Sequence, residues 1–349
     1  MKLTVTPMTV PLRVPFAAGH GTVTDRELLL VSLEAVDGLV GYGEAAPLQS
    51  YDGVSPAEVR AGLEACAPVL DAYPDAMPIA DVIARCAEAT VLPQALAAID
   101  LALWDLAGRR TREPVWRLLG AREPNPIPVN WTIAANDRST AAHEAATARA
   151  EGYGTVKVKV AIGDDAGRLA AVRAFAGPDM AIRIDANGTW LPDEAEATLR
   201  MLEPVGLELC EEPVRGLPAI QALRTLTNVP LALDESADDP DALLRPAADF
   251  ICLKISRCGG ISGMIDVAAR ARAAGYGIYL ASTLDGPLGI AAALHAAAVI
   301  GPDRACGLAT LGLFGERPDP LPPARGSMVP PDGPGLGARL RDWYLREAH

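Results

Sequence analysis

Short apolar runs alternate with Ala-, Leu- and Arg-rich segments between Thr155 and Gly260. The runs are TVKVKV, IRIDANG, LELCEEP, LALDES and DFICLKISRCGG, and their length and composition predict buried strands. The segments between them, such as AGRLAAVRAFA and EAEATLRMLEPV, have helical spacing. One strand and one helix every ~20 to 27 residues is typical of βαβ units in a parallel sheet.

The same rhythm extends the predicted sheet on both sides. Upstream, VNWTI predicts one further strand, and downstream GIYLAS and ACGLAT predict two more. The total is eight predicted strands, and a Pro- and Gly-rich tail follows the last one in place of a full helix. In a barrel of such units, functional side chains lie at the C-terminal ends of the strands.

The region before the predicted barrel has a different pattern. Residues 1 to about 45 alternate between apolar and polar positions, and Asp37-Gly38 is a hairpin signal, so antiparallel strands are predicted. Residues 55 to 120 have the periodicity of helices. PNPIPVN, near residues 124 to 130, is a Pro-rich joint and marks the predicted domain boundary.

Three carboxylates end predicted strands: Asp185, Glu211 and Asp234. They would converge on one mouth of the barrel, where their repulsion would protonate at least one of them unless a cation is present. Carboxylate and water oxygens suit Mg²⁺, and no His or Cys stands at these strand ends to favour a softer metal. A substrate carboxylate bound to such a cation would have a more acidic α-proton.

The lysines supply a candidate base. Lys157 and Lys159 lie two residues apart on one predicted strand and face the same side, and Lys254 ends a strand about halfway round the barrel. Two ammonium groups this close are expected to depress at least one lysine pKa, which favours a general base. The chain has only four lysines among its 31 basic residues, and three of the four lie in these strands. Lys can give up its proton in a protein whereas Arg cannot, so this distribution favours a chemical role over solvated strand lysines.

Composition limits the classes of function. The formal net charge of −13 argues against a nucleic acid or an anionic membrane surface as a partner. The sequence shows no long uncharged apolar span and no basic segment with an apolar run at its start, so neither membrane crossing nor export is predicted. Six cysteines are scattered without a CxxC motif, which is typical of small buried hydrophobes in a reducing compartment. We therefore expect a cytoplasmic protein.

The ordered set KVKV, IDANG, EEP, LDES and LKISRCGG resembles the enolase superfamily, in its muconate-lactonizing-enzyme subgroup, and the resemblance covers nearly the whole chain. It implies an α/β fold, a (β/α)7β modified TIM barrel with an α+β capping domain formed by the N-terminal part and the C-terminal tail. Residues 1–125 would form the capping domain, 126–312 the barrel with the active site, and 313–349 the tail that returns to the cap. Composition alone would also allow a disordered tail.

The resemblance also implies roles for individual residues. Three carboxylates would bind Mg²⁺, for which Mn²⁺ could substitute: Asp185, Glu211 and Asp234. The family pattern takes the first Glu of EEP, so Glu211 is preferred over Glu212. Lys159 would be the base, Lys157 would support it, and Lys254 would be the opposing acid/base or a cationic stabiliser.

Two loops of the capping domain close over the barrel mouth in the resembled family, and the loops after the strands face the same mouth. These loops give the candidate substrate neighbours: His20, Gly21, Tyr51, Asp52, Asn187, Ser282, Thr283 and Asp285. A plain hairpin loop is the alternative explanation for His20 and Gly21. A turn before Gly286 is the alternative for Asp285.

The shared first step of this subgroup would be abstraction of a proton α to a carboxylate, which leaves an enediolate. The segment ACGLATLGLF lacks the Asp-x-Asp pair of dipeptide epimerases and, with its Pro- and Gly-rich tail, looks like o-succinylbenzoate synthases of menaquinone biosynthesis. Dehydration to o-succinylbenzoate, a lyase reaction, is therefore the predicted activity. N-acylamino acid racemase, dipeptide epimerase and muconate cycloisomerase are the alternatives within the subgroup.

Two further hypotheses assign the protein to other functional classes. A Schiff-base aldolase would also use a strand-borne lysine, but it has no need of three aligned carboxylates. A non-catalytic barrel would tolerate loss of a ligand or a base, whereas all six positions are present here. The expected partner is a small-molecule carboxylate, with no nucleic acid and no membrane, and a homo-oligomer is left open.

Overall fold

The computed structural model of the protein describes residues 1–18, 21–72, 77–135, 137–315 and 317–345. Within these residues, an antiparallel sheet lies near the N-terminus and a parallel sheet occupies the second half of the chain. Among the described helices, none combines the length and the apolar character needed to cross a bilayer. All six cysteines are free thiols, and five of them are buried.

Three antiparallel strands form the N-terminal sheet, in the order β1, β2, β3. Their bounds are β1 Lys2–Ala18, β2 Gly21–Glu34 and β3 Val40–Ala45. The predicted hairpin lies between β2 and β3, where Ala35 N–H donates to Leu39 O at 2.8 Å and Gly38 N–H donates to Ala35 O at 3.0 Å.

Among the described residues, five helices follow this sheet: α1 Gln49–Asp52, α2 Pro56–Ala72, α3 Ile79–Ala89, α4 Pro93–Thr111 and α5 Val115–Leu118. Helix α4 packs on β3 at very short range because Gly43 has no side chain. A Cβ at Gly43 would lie 2.0 Å from Ala98 O, so any other residue would force the helix away from the sheet.

Seven parallel strands form the second sheet, and their order in the sheet follows their order in the chain. After the two-residue strand β4 Ile127–Pro128, they are β5 Trp131–Ile133, β6 Thr155–Lys159, β7 Ala181–Asp185, β8 Leu207–Glu211, β9 Leu231–Leu233, β10 Phe250–Lys254 and β11 Gly277–Ala281. On β6, Val156 and Val158 are fully buried in the core, and the alternation of the strand turns Lys157 and Lys159 to the barrel interior.

The prediction of a regular eighth strand is wrong. Cys306 and Gly307 make only isolated parallel bridges, to Val129 and Ala281, and these bridges close the barrel. Pairing stops there because the chain turns at once, with the Thr310 N–H donating to Leu308 O at 2.9 Å.

Six helices cover the outside of the barrel: α6 Arg138–Ala150, α7 Asp165–Ala176, α8 Pro192–Leu202, α9 Leu217–Arg224, α10 Ile261–Ala274 and α11 Pro287–Ile300. Between β9 and β10 the chain, all of it described, forms a 3-10 helix over Glu235–Asp238 and turns. Just after β9, Asp234 accepts the Tyr51 hydroxyl of α1 at 2.7 Å.

The C-terminal tail is folded and packs back onto the N-terminal region. Gly315 N–H donates to Pro11 O at 2.8 Å, and Val115 N–H donates to Gly335 O at 3.0 Å. Strand β12, Ser327–Met328, pairs antiparallel with β4. The predicted fold class, a (β/α)7β barrel with an α+β cap formed by the N-terminal part and the tail, is therefore confirmed, while the exact domain boundaries stay predictions.

Candidate active site

Six charged residues lie at the C-terminal ends of five neighbouring strands, and we call them the strand-end cluster: Lys157, Lys159, Asp185, Glu211, Asp234 and Lys254. The parallel register places Lys159 beside Asp185 and Asp185 beside Glu211. Strands β7, β8 and β9 separate β6 from β10 in the sheet. The three carboxylates therefore stand between one pair of lysines and a third lysine on the opposite wall.

Lys157 lies between two of the carboxylates. Its Nζ is 3.0 Å from Asp185 Oδ2 and 2.7 Å from Glu211 Oε1. Lys159 donates to Asp185 Oδ2 at 2.6 Å and to Asn187 Oδ1 at 3.1 Å. Carboxylates from adjacent strands thus converge on the Lys157 ammonium group.

On the opposite wall, Lys254 is paired with Asp234, with Nζ 2.6 Å from Oδ1. Tyr51, from α1 of the cap, joins this pair: its hydroxyl donates to Asp234 Oδ1 at 2.7 Å and accepts from Lys254 Nζ at 2.6 Å. Arg257 donates to the Tyr51 hydroxyl and, at 3.2 Å, to the Asp234 carbonyl oxygen. The capping domain therefore places a side chain directly against the barrel's charged residues.

The carboxylates raise the pKa values of Lys157 and Lys254. Burial lowers the pKa of Lys157, but Asp185, Glu211 and Asp234 outweigh burial and raise it well above its usual value. Burial also lowers the pKa of Lys254, and Asp234 again reverses the effect. The carboxylates in contact with these two lysines therefore dominate over the neighbouring ammonium groups.

The three carboxylates respond to their partners in different ways. Burial raises the pKa of Asp185, but Lys157 and Lys159 outweigh burial and hold it well below its usual range. For Asp234, Lys254 is the main group that outweighs burial, and the pKa falls to about 2. The pKa of Glu211 is raised, because burial exceeds the opposing effect of Lys157.

Glu212 and Glu235 stand beside these carboxylates but have other partners. Glu212 accepts the Asp234 N–H at 2.8 Å and the Ser236 N–H at 3.1 Å. Burial raises the pKa of Glu212 to about 7 and that of Glu235 to about 8. Of the two glutamates in EEP, Glu211 faces the lysines and Glu212 faces the loop after β9.

The donor set suits a divalent cation with oxygen ligands. One ligand atom from each of Glu211, Asp234 and Cys252 lies within 4.8 Å of the other two, and Asp185 shares Lys157 with Glu211. Cys252 offers a soft sulfur ligand, whereas a hard divalent cation prefers the carboxylate oxygens. The three carboxylates therefore fit Mg²⁺ better than they fit a thiolate-binding metal.

A cavity opens above the strand ends, beside α1. Its charged lining consists of Lys157, Lys159, Asp234 and Lys254. The rest of the lining is apolar or neutral, and it includes Phe16, Leu48, Tyr51, Thr132, Asn187, Ser282, Thr283, Leu284 and Thr310. Four of the predicted substrate neighbours, Tyr51, Asn187, Ser282 and Thr283, thus border the same space as the lysines.

The other predicted neighbours are placed elsewhere. Asp285 is fully buried and is not among the described residues that line the cavity. Asp52 accepts from the Gln94 side chain at 3.0 Å and so connects α1 to α4. Gly21 begins β2 at an exposed position, and His20 lies outside the described residues.

Three residues close to the strand-end cluster were missed from the sequence: Cys252, Arg257 and Tyr279. Cys252 is two residues before Lys254 on β10, and Tyr279 is two residues before Ala281, which lines the cavity. Strand alternation could have placed both on the interior face. Arg257 has no local signal, because only the turn after β10 brings it back to Asp234.

Comparison with known proteins agrees with this geometry. Residues 1–120 match the N-terminal domain family of mandelate racemase and muconate lactonizing enzyme, and residues 140–344 match the enolase C-terminal domain-like family. Muconate cycloisomerase 1 of Rhodococcus opacus is 33% identical over 353 residues, which cover 95% of this chain and 93% of that protein.

Two solved structures are similar over nearly their whole length. The N-succinyl Arg/Lys racemase of Bacillus cereus has a TM-score of 0.89 at 28% identity, covering 98% of both chains. The dipeptide epimerase of Enterococcus faecalis, complexed with Mg and the dipeptide L-Leu-L-Tyr, has a TM-score of 0.86 at 25% identity, covering 96% of this chain and 98% of that one. The chain therefore belongs to the enolase superfamily, in its mandelate racemase and muconate lactonizing enzyme subgroup.

Proposed function

We propose that this enzyme uses Mg²⁺ to remove the proton α to the carboxylate of a small molecule and returns a proton to the opposite face of the same carbon. The observation that carries this proposal is the placement of Lys159 and Lys254 on β6 and β10, with three other strands between them. A substrate held over the carboxylates would have one lysine on each side.

The residues have separate roles in this proposal. Asp185, Glu211 and Asp234 would hold Mg²⁺, which when bound supplies positive charge to stabilise the enediolate. Lys159 takes the α-proton from one face, and Lys254 delivers a proton from the other. Lys157, which contacts Asp185 and Glu211, maintains positive charge beside the carboxylates.

The relatives named above support an isomerase better than the lyase predicted from the sequence. They are a racemase, an epimerase and a cycloisomerase, which are the alternatives considered for this subgroup, and dehydration to o-succinylbenzoate has less support. Removal and return of a proton at one carbon also uses both lysines symmetrically. We infer racemisation or epimerisation at the α-carbon.

The cavity indicates the chemical class of the substrate. Apart from the strand-end cluster, its described lining has hydroxyl and apolar side chains, such as Thr132, Thr310 and Leu284, and no further carboxylate. The segment Cys306–Phe314 also contains no Asp or Glu that could pair with a substrate ammonium. An N-acylated amino acid, whose nitrogen is neutral, fits this lining better than a dipeptide with a free amino group.

The first experiment is a substrate panel in D₂O with purified protein, with Mg²⁺ and with a chelator. The panel contains N-acylamino acids, dipeptides, a muconate and the precursor of o-succinylbenzoate. We expect Mg²⁺-dependent exchange of the α-proton and racemisation of N-acylamino acids. Fast dehydration without racemisation would assign the protein as a lyase, and absence of α-proton exchange across the panel with bound Mg²⁺ would refute the proposal.

A matched pair of variants tests the two lysines. Lys159→Ala and Lys254→Ala should each lose racemisation by about 10³-fold or more, because each removes one general acid/base. Each variant should still exchange the α-proton of one enantiomer, and the enantiomer should differ between them. Lys159→Arg is the charge-matched control and should behave like Lys159→Ala, because Arg does not give up its proton. Exchange of both enantiomers by Lys159→Ala would contradict the assignment of the base.

A further inference from the structure

Tyr279 links the lower part of the barrel interior to one of the strand-end carboxylates. It lies on β11, is 1% exposed, and donates its hydroxyl hydrogen to Glu211 Oε2 at 2.8 Å.

The ring of Tyr279 is fixed from below by a buried cation. The Arg183 guanidinium lies 4.9 Å from the centroid of the ring. Arg183 is itself held by an ion pair with Glu208 at 2.8 Å and by a hydrogen bond to Ala305 O at 2.8 Å. The guanidinium is fully buried and held by these two partners, so it restrains the phenol ring that it stacks on.

The two oxygens of Glu211 therefore have different environments. Oε2 accepts from Tyr279, whereas Oε1 is 2.7 Å from Lys157 Nζ, on the side of Asp185. We propose that Tyr279 is a positioning residue that fixes the Glu211 carboxylate so that Oε1 alone is offered to Mg²⁺, and that Arg183 fixes Tyr279. This inference rests on the proposed function, because that function supplies the metal assignment of Glu211.

The coordination geometry of Mg²⁺ makes its binding sensitive to the orientation of the Glu211 carboxylate. Mg²⁺ requires near-octahedral coordination at short distances, so a carboxylate that turns to offer both oxygens occupies a position needed for water or substrate. Groups that hydrogen-bond to a metal ligand typically change metal affinity by about 10 to 100-fold when they are removed. Loss of the Tyr279 hydroxyl frees Glu211 to rotate without changing the charge of the site.

The experiment is a calorimetric titration with Mg²⁺ of the wild type, Tyr279→Phe and Tyr276→Phe. Tyr276 is a matched control: it is buried, its hydroxyl donates to Ala242 O at 2.9 Å and accepts from the Ala247 N–H at 2.9 Å, and it has no contact with the strand-end cluster among its hydrogen bonds. We expect Tyr279→Phe to weaken Mg²⁺ binding by about 10-fold or more, and Tyr276→Phe to leave it within about twofold of the wild type.

The outcomes separate this inference from the proposed function. Failure of the wild type to bind Mg²⁺ would overturn the metal assignment itself. Wild-type affinity in Tyr279→Phe, or an equal loss in both tyrosine variants, would overturn the positioning role while leaving the metal assignment intact. If Tyr279→Phe does not fold, Arg183→Met is titrated instead. The Mg²⁺ affinity of Arg183→Met should then be lower than that of Tyr276→Phe. Wild-type affinity in Arg183→Met would then overturn the inference.

Discussion

Two groups of buried carboxylates and cations lie in the same molecule, and only one of them faces the cavity. The strand-end cluster borders it. The second group, which we call the sealed cluster, lies where the cap, the loop after β11 and the tail meet: Arg26, Glu44, Asp285 and Tyr344. Burial does not distinguish the two, since Lys159 and Lys254 are each 7% exposed, Arg26 is 2% and Glu44 is 4%.

The difference lies in what surrounds each charge. In the sealed cluster, Arg26 donates to Pro47 O at 2.7 Å and to Ala46 O at 3.0 Å, and Glu44 accepts the Gly286 N–H at 2.7 Å. Burial, followed by the charge of Asp285, raises the pKa of Glu44 to about 7. These polar atoms are used to join three parts of the chain. Charged residues become a candidate active site only where their side chains converge on open space, and the strand-end cluster alone of these two meets that condition.

The largest expected effect concerns the cation of the sealed cluster. Arg26→Met should lower the free energy of unfolding by about 4 kcal/mol, because it removes the buried cation near Asp285 and Glu44 and leaves three carbonyl oxygens without their donor. Denaturant unfolding measures this loss, and a Mg²⁺ titration of the same variant should give the wild-type affinity. A variant of wild-type stability with weakened Mg²⁺ binding would show that the two clusters are not separate.

The second expected effect is a dependence of stability on pH, at the contact between His295 and the C-terminal tail. His295 on α11 accepts the Trp116 N–H at 3.1 Å, and its other ring nitrogen faces Leu336 O at 3.1 Å. Burial lowers the pKa of His295 from 6.5 to about 4. The unfolded chain binds the proton more readily than the folded protein does. The neutral His295 side chain therefore contributes about 3 kcal/mol to the free energy of unfolding above pH ~6.5, and this contribution is lost as the pH falls towards ~4.

Unfolding measured by denaturant at several pH values tests this prediction. His295→Gln is the control, since it keeps hydrogen-bonding groups but cannot take up the proton, and its stability should depend less on pH in that window. The same pH dependence in both proteins would show that another group is responsible.

The smallest expected effect is on Mg²⁺ affinity, and it is tested by replacing one aspartate in each cluster. Asp234→Asn should weaken Mg²⁺ binding by about 100-fold, which corresponds to about 2.7 kcal/mol, because a charged ligand becomes neutral. Asp285→Asn makes the same chemical change in the sealed cluster and should leave Mg²⁺ affinity within about twofold of the wild type. Calorimetric titration of both variants with Mg²⁺ measures this difference. Equal losses of Mg²⁺ affinity in the two variants would contradict the distinction between the clusters.

Much of the fold could be predicted because its signals are local. The strand and helix rhythm and the hairpin at Asp37-Gly38 both follow from short stretches of sequence. The irregular eighth strand could not be predicted, because ACGLAT has the composition of a strand and only the turn at Thr310 limits its pairing to Cys306 and Gly307.

The candidate site was predictable to the extent that strand position controls it. Residues that end parallel strands meet at one edge of a sheet, so the candidates Asp185, Glu211 and Lys254 could be grouped without coordinates. Asp285 also follows a strand, yet its side chain lies in the sealed cluster, because the cap and the tail cover that loop. The raised pKa of Lys157 could not be predicted, since the number of carboxylates touching each ammonium is a tertiary property.

The sequence by itself determined the barrel rhythm, the family, and the residues at the strand ends, because each depends on the order and spacing of residues along single strands. Only the tertiary structure decided which buried charges face the cavity, that Tyr51 of the cap contacts Asp234 and Lys254, and that Tyr279 holds Glu211. The partners in these contacts are separated by tens to hundreds of residues in the chain. Which of them meet depends on how the barrel closes and how the cap and tail pack on it, and this packing leaves no periodic pattern in the sequence.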